Sequence, residues 1–270
     1  MERHVHDGMH ILWKAGVAAD FLGNVLVSWV ESSHLIPGDA LFPGDTEEAR
    51  YAIASADFKA WCAETKAVCH RTSSFSALRL GRGKKANWPS LTDKFKCGDI
   101  RHMMYWMFEV HKSQNRRALE RGSLSPMMKI RMAAFNGLVQ YCHGISHADR
   151  LLSTEQRLAF HGHLQCFLKG FVTLARDAVQ RGVVAYRLRP KLHALTHVSH
   201  DLLSSPENPA CFEVWQDEDL CGQSAKVSGK CHSRTVCLRA IERYISWLVA
   251  SCDMFSMVPT LTRSEHPFAT

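Results

Sequence analysis

The amino-acid sequence predicts a mainly α-helical protein, a helical bundle with few or no strands. Apolar residues recur at three- and four-residue steps along most of the chain, the spacing of one face of a helix. The apolar fraction of 46% supports a packed core, and the charged fraction of 22% is too low for a disordered polyelectrolyte. Only the stretch before Asp7 and residues 183–188 have the composition of extended segments.

The first predicted helix covers residues 8–31, where one apolar stripe continues from Met9 to Trp29. Prolines and glycines within residues 37–44 predict a loop. Thr46, which precedes two glutamates, predicts the N-cap of a second helix that ends near residue 67. The polar and basic residues 72–90 predict an exposed loop.

The apolar periodicity predicts further helices at about 91–120, 125–148, 153–182 and 191–204. Pro206 and Pro209 predict a loop, and a last pair of helices follows at about 216–226 and 232–255. The predicted organisation is a helical domain over 1–205 that begins at a strand-end Asp, an acidic cluster with closing helices over 206–258, and a loose tail over 259–270.

Composition narrows the compartment and the class of partner. Charged residues and histidines interrupt residues 1–17, which argues against a secretory signal, and no run of about 18 apolar residues predicts a membrane span. Ten cysteines in a long helical chain indicate free thiols in a reducing compartment, so we expect a nuclear or cytoplasmic protein that is not secreted. The 33 Lys and Arg against 26 Asp and Glu permit a polyanionic partner.

Asp7 is the first candidate for chemistry. It lies where an extended segment turns into an amphipathic helix, and a carboxylate held there could bind a metal ion. The same position equally predicts a helix N-cap, and the spacing alone favours the cap.

A second candidate is the acidic cluster, which holds Glu213, Asp217, Glu218 and Asp219. Two-metal phosphoryl transfer needs carboxylates that hold Mg²⁺ ions about 4 Å apart, and a cluster distant from Asp7 could complete such a site. The alternative is a helix N-terminus that carries acids for electrostatic reasons, which is common.

The histidines suggest a third candidate. His193, His197 and His200 fall on one helical face, and two histidines four residues apart can bind zinc. No acid of the metalloprotease type stands between them, so a buried hydrogen-bonded pair near an active site is favoured over zinc. The Cys/His pairs elsewhere contain no C-x-x-C knuckle, which gives zinc weak support.

Basic residues form three patches that could contact phosphates, and solvated helix faces explain each patch equally well. The residues that we select as candidates for DNA binding are Arg79, Arg82, Lys84, Lys85, Trp88, Arg116, Arg117, Arg234 and Arg239.

Several of these motifs, in this order, resemble the C-terminal half of CACTA/Plavaka-type DNA transposases. Asp7-Gly8-Met9-His10 is similar to their strand-end Asp followed by Met-His and a long helix. Lys85-Ala86-Asn87-Trp88 is similar to their Lys-Ala-x-x-Trp patch, one residue short. Pro190, Lys191, His193 and His197 match a Pro-Lys-x-His-x-x-x-His segment, and Phe212 to Arg243 matches a Phe-Glu segment before a basic stretch and a closing helix.

The resemblance implies a ribonuclease-H-like enzyme with an Asp-Asp-Glu triad and a helical insertion between the second Asp and the Glu. Asp7 would be the second Asp. Glu218 would be the Glu, with Glu213 as the alternative, and His10, His193 and His197 would support the site. Mg²⁺ or Mn²⁺ would be the cofactor and DNA the partner, in reactions of DNA recombination by a transposable element.

The sequence departs from that family in one respect: the resemblance places the first catalytic Asp upstream of Asp7. We therefore expect a transposase fragment that is inactive alone, and that pairs with an N-terminal half or forms a homo-oligomer. The alternative is a non-catalytic helical module, derived from a transposon, that binds DNA or protein.

Overall fold

The computed structural model describes residues 7–31, 41–69, 74–82, 88–91 and 94–213. These residues form a mainly α-helical fold, as the periodicity predicts, and within them the only β-type pairing is one isolated bridge between Leu151 and Glu207. The helices are α1 (Gly8–Leu12), α2 (Val17–Val30), α3 (Glu47–Thr65), α4 (Cys97–Glu120), α5 (Pro126–His147), α6 (Thr154–Gln180) and α7 (Pro190–Ser204). Short 3-10 turns occupy Leu78–Leu80 and Pro209–Phe212.

Side-chain caps fix where three of the helices begin. Thr46 accepts a hydrogen bond from the Ala49 amide at 3.1 Å, which confirms the predicted N-cap of α3. Ser153 and Gln156 form a reciprocal capping box at the start of α6. Ser125 caps α5. These caps explain why the predicted and observed starts of the three helices agree within two residues or fewer.

The first predicted helix is wrong in one respect, because residues 8–31 form two helices. α1 ends at Leu12, and α2 begins after Ala15 and Gly16. Ala15 has φ of +46°, outside the helical region, and a Cβ on Gly16 would lie 2.3 Å from the Ile11 carbonyl oxygen. The apolar stripe continues across this turn, so hydrophobic periodicity alone does not reveal the break.

Helix α2 is the centre of the fold, since all of its residues are buried. The Phe21 ring contacts Phe135 of α5 and Phe167 of α6, with ring centroids 4.9 and 5.4 Å apart. Edge-to-face packing of this kind stabilises a core beyond its buried area. The core therefore holds α2 against α5 and α6, which make the most extensive helix pair among the described residues.

The prediction of an exposed loop over residues 72–90 is wrong where the structure describes that stretch. Phe75 and Leu80 are buried, and Phe75 stacks on Trp106 of α4 with ring centroids 5.8 Å apart. Residues 183–188 form no strand, and the Tyr186 amide instead donates to the Asn24 side chain at 2.9 Å. Helix α4 begins later than predicted, at Cys97.

The segment Gly8–Val30 has the length and mean hydropathy, 1.3, of a membrane span, and 89% of its most apolar window is buried inside the fold. Core helices pass the same test. The expectation that the chain does not span a membrane therefore stays a prediction.

The chain divides into two compact units, Met1–Glu213 and Val214–Thr270. The second unit lies outside the described residues, as do the predicted closing helices, the tail and Glu218. The predicted domain limits at 205 and 258 stay predictions.

Candidate functional site

Asp7 caps helix α1 and contacts His10. Its Oδ1 accepts a hydrogen bond from the Met9 amide at 3.0 Å, so the N-cap interpretation is confirmed. Its Oδ2 faces the Nδ1 atom of His10, and the Asp7 side chain keeps 27% of its surface exposed. The carboxylate is thus oriented from two sides and still accessible to solvent.

Glu213 lies against the beginning of the same helix. Its Oε1 atom is 2.9 Å from the position that a Cβ atom on Gly8 would occupy, so only glycine leaves room for this carboxylate without a shift. Glu213 is also near α5: burial raises the pKa of the Cys142 thiol and the Tyr141 phenol, and the negative charge of Glu213 raises both further. Two acids from opposite ends of the described chain therefore both lie at the beginning of α1.

Asn208 holds Glu213 in this position. The side chain is 2% exposed, and its amide donates to the carbonyl oxygens of Ile145 at 2.8 Å, Asp149 at 3.2 Å and Ala148 at 3.3 Å. Its Oδ1 accepts from the Ala210 amide at 3.0 Å and starts the 3-10 turn before Glu213. One buried amide thus ties residues 208–213 to the end of α5.

The Pro-Lys segment at the start of α7 holds α1. Lys191 Nζ donates to the carbonyl oxygens of His10 at 2.8 Å and Lys14 at 2.7 Å, which satisfies the end of the short helix. Burial lowers the pKa of Lys191, Arg189 lowers it further, and Asp20, Cys97 and Asp7 act in the opposite direction. Part of the motif that carries the family resemblance therefore has a structural role in this fold.

Histidines 193 and 197 form the pair that their spacing predicts. Their Nε2 atoms are 3.0 Å apart, and both side chains are exposed, so the expectation of a buried pair is wrong. Side chains four residues apart on a helix are neighbours on its surface, so the two rings can contact each other without being buried. Within residues 7–31, 41–69, 74–82, 88–91 and 94–213, no three His, Cys, Asp or Glu side chains are grouped closely enough to hold a metal ion.

The candidate DNA-binding residues separate into two kinds. Arg82 forms an ion pair at 2.8 Å with Glu31, whose side chain is 4% exposed, and Tyr51 donates to the same carboxylate at 3.0 Å, so Arg82 has a structural role. Arg116 and Arg117 are exposed on α4, Trp88 is 38% exposed, and Arg79 is half-buried. Lys84, Lys85, Arg234 and Arg239 lie outside the described residues.

A groove of about 540 Å³ lies between α6 and α7 and includes His193 in its lining. Its lining contains both apolar and basic side chains. The apolar side chains are those of Leu168, Val172, Leu188 and Leu192, and the basic ones are those of Lys169, Arg176 and Arg189. The groove is next to the histidine pair, and neither the apolar stripe of α6 nor that of α7 predicts it.

Asn208 and Arg189 are the positioning residues that the sequence analysis did not select. The Asn208-Pro209 dipeptide is a turn signal. Because this turn comes immediately before the acidic cluster, it could have indicated a residue that positions the first acid of the cluster. No local pattern indicates Arg189, because its partners, Asp20 at 3.1 Å and the Ala15 carbonyl at 3.3 Å, are remote in sequence.

Comparison with known proteins adds no relative: no family model, curated protein or solved structure matches this chain. The geometry of the described residues therefore carries the functional argument.

Proposed function

We propose that the chain is part of a DNA transposase and carries two acids of its metal-dependent strand-cleavage and strand-transfer site, Asp7 and Glu213. The observation that carries the proposal is the position of the Glu213 carboxylate at Gly8, the residue that follows Asp7 in the chain. Of the two registers that the sequence leaves for the last acid, this contact favours Glu213. Glu218, outside the described residues, stays the alternative.

The two carboxylates suit a hard divalent cation such as Mg²⁺ or Mn²⁺, which prefers oxygen ligands. A bound pair of such ions would activate the attacking water or 3′-hydroxyl and stabilise the leaving oxygen of the phosphodiester. In this chain, the Met9 amide and His10 orient Asp7, and Asn208 fixes the turn that presents Glu213. His193 and His197 are proposed as supporting groups, and zinc is a weaker candidate for that pair.

Two of the three acids of an Asp-Asp-Glu triad are assigned here, and the first Asp is not assigned to any residue of the chain. We therefore expect little strand cleavage from the chain alone, in line with a fragment that works with an N-terminal half or as a homo-oligomer. Robust Mg²⁺- or Mn²⁺-dependent cleavage by the wild-type chain would contradict this part of the proposal. DNA as the partner implies a nuclear location.

Manganese binding tests the acid pair directly, because Mn²⁺ can be followed by electron paramagnetic resonance without any enzymatic activity. We expect Asp7→Asn and Glu213→Gln each to weaken Mn²⁺ binding tenfold or more, on the order of the loss of one charged ligand. Asn keeps the helix cap, so the Asp7 variant separates the metal ligand from the cap. Glu120→Gln, at an exposed acid on α4, is the matched control and should bind as the wild type.

The Glu218→Gln variant decides the register. If it weakens Mn²⁺ binding and Glu213→Gln does not, the last acid is Glu218. If neither variant nor Asp7→Asn changes binding, the metal site does not exist and the transposase proposal loses its catalytic residues.

The second candidate is a non-catalytic helical module that binds DNA. Its support is the exposed pair Arg116 and Arg117 on α4, together with the net charge of +7. Phosphate contacts release counterions, so replacing both arginines by glutamine should reduce the salt dependence of duplex binding. Binding that persists without divalent cations and in Asp7→Asn would favour this module over the enzyme.

A further inference from the structure

Two cysteines near the end of α3 lie in direct contact. The Sγ atoms of Cys62 and Cys69 are 3.1 Å apart, and both are free thiols. Cys62 is 8% exposed and Cys69 is half-buried, so solvent reaches the pair from the Cys69 side. This pair belongs to neither the acid site nor the basic patches and does not depend on the proposed function.

The backbone after α3 brings the two thiols together. Lys66 adopts the left-handed conformation with φ of +55°, and the amides of Lys66 and Ala67 both donate to the Cys62 carbonyl oxygen. This turn reverses the chain, so residues 67–69 return alongside the last turns of the helix. These backbone hydrogen bonds therefore place Cys69 next to Cys62, and the two side chains complete the contact.

The separation of the sulfurs distinguishes two uses for such a pair. Two thiolates that share a tetrahedral zinc ion with Zn–S bonds of about 2.3 Å lie about 3.8 Å apart, whereas disulfide sulfurs lie about 2.05 Å apart. The 3.1 Å contact lies between these two values. Small side-chain rotations would bring the sulfurs to bonding distance.

We propose that Cys62 and Cys69 form an oxidisable dithiol that hydrogen peroxide converts into an intramolecular disulfide. One thiol loses its proton and its sulfur attacks a peroxide oxygen; the O–O bond breaks, and the leaving hydroxide takes a proton to become water. The second thiol's sulfur then attacks the resulting sulfenic acid. The S–S bond forms, the S–O bond breaks, and a second water leaves, so two sulfurs are oxidised and both peroxide oxygens are reduced.

The surroundings set the conditions for this reaction. Burial raises the pKa of the Cys69 thiol to about 12, with further contributions from Cys62 and from the charge of Asp99. Because the thiolate is the attacking species, attack by Cys69 should be slow at neutral pH and faster in alkaline solution. The exposed thiol of Cys166, which donates to the Ala133 carbonyl at 3.3 Å, is the matched comparison.

Tryptic peptide mapping of the full chain tests the proposal, because cleavage after Lys59, Lys66 and Arg71 places the two cysteines on different peptides. After peroxide treatment and alkylation of the remaining thiols, we expect peptides 60–66 and 67–71 to be joined with the loss of two hydrogens. Dithiothreitol should separate them. Cys62→Ser and Cys69→Ser should abolish the joined species, and Cys166→Ser should leave its yield unchanged.

The opposite pattern would overturn the proposal. The decisive conditions are alkaline. If alkaline peroxide modifies Cys166 but leaves both Cys62 and Cys69 as free thiols for alkylation, or oxidises each of them separately to a sulfinic acid, the pair does not form a disulfide. Joining of either peptide to a Cys166 peptide in preference would do the same. Cys69→Ser, at the more exposed position, keeps the test valid if Cys62→Ser fails to fold.

Discussion

Helix α2 and the acid site at α1 use polar side chains in opposite ways. Along α2 and at its C-cap, polar residues recur at nearly every turn, and none is more than 3% exposed: Asp20, Asn24, Ser28 and the C-cap Glu31. At α1, Asp7 and Glu213 are only partly buried, and His10 is exposed. Polar side chains therefore have two different roles. Along α2 they are buried and bind fixed partners, and at α1 their oxygen atoms remain accessible to solvent.

Each polar residue of the α2 stripe has a partner from another part of the chain. Asn24 donates to the Pro89 carbonyl at 2.9 Å and accepts from the Tyr186 amide, while Ser28 accepts from Arg131 of α5 at 2.9 Å. Burial raises the pKa of Asp20, and its contacts with Ser90 and Arg189 act against that rise. A buried polar group without a partner is costly, so this stripe fixes which loops can lie against α2.

At the acid site, the partners of Asp7 are neighbours in sequence and the groups stay close to water. Because such a group stays close to water in the folded protein, its substitution changes the free energy of unfolding little. A ligand can also take the place of the water around it. The comparison predicts that substitutions in the stripe change stability, whereas substitutions at α1 change binding.

The largest expected effect is at Arg131, whose side chain is fully buried and contacts Ser28 and His111. Arg131→Ala should lower the free energy of unfolding by about 3 kcal/mol or more, because it leaves a cavity and two buried polar groups with one bond fewer. Urea denaturation measures the change. A loss below about 1 kcal/mol would mean that the core relaxes around the gap and that the stripe is not a stabilising network.

Asn208 sharpens the comparison, because it is buried like the stripe and positions a residue of the acid site. Asn208→Ala should lower the free energy of unfolding by about 2 kcal/mol, since three carbonyls lose their donor. It should also weaken Mn²⁺ binding although Asn208 is not a proposed ligand. Unchanged Mn²⁺ affinity in a folded, destabilised variant would show that Glu213 does not depend on this clamp.

Periodicity and caps were enough to predict the helical class and the starts of α3, α5 and α6. Those features are local: an apolar stripe buries one helix face, and a Ser or Thr side chain satisfies the first free amides. Periodicity does not reveal the break between α1 and α2, because the stripe continues through Ala15 and Gly16. The turn is held by Lys191 of α7 and by Arg189, the N-cap of α7.

The candidate site was predictable only in its residue types. The sequence indicates Asp7 and leaves Glu213 and Glu218 as alternatives for the last acid, since spacing along a chain does not say which acid reaches a distant helix. The contact between Glu213 and Gly8 depends on Asn208 and the end of α5, which are tertiary features. Arg82 is a second example: spacing in a basic patch does not indicate its ion pair with the buried Glu31, and its role in DNA binding stays a prediction.

The smallest effect on stability is expected at Asp7. Asn caps helices about as well as Asp, so Asp7→Asn should change the free energy of unfolding by less than about 0.5 kcal/mol, whereas Asp7→Ala should cost about 1 kcal/mol. Thermal and urea unfolding of both variants, compared with their Mn²⁺ affinities, separate the two roles of one carboxylate. Equal affinity loss with unequal stability loss is the pattern of a metal ligand that also caps a helix. If instead the loss of Mn²⁺ affinity follows the loss of unfolding free energy across the two variants, Asp7 acts through the helix cap alone. The contrast between polar residues that stabilise the core and polar residues that bind a ligand at α1 would then not hold for Asp7.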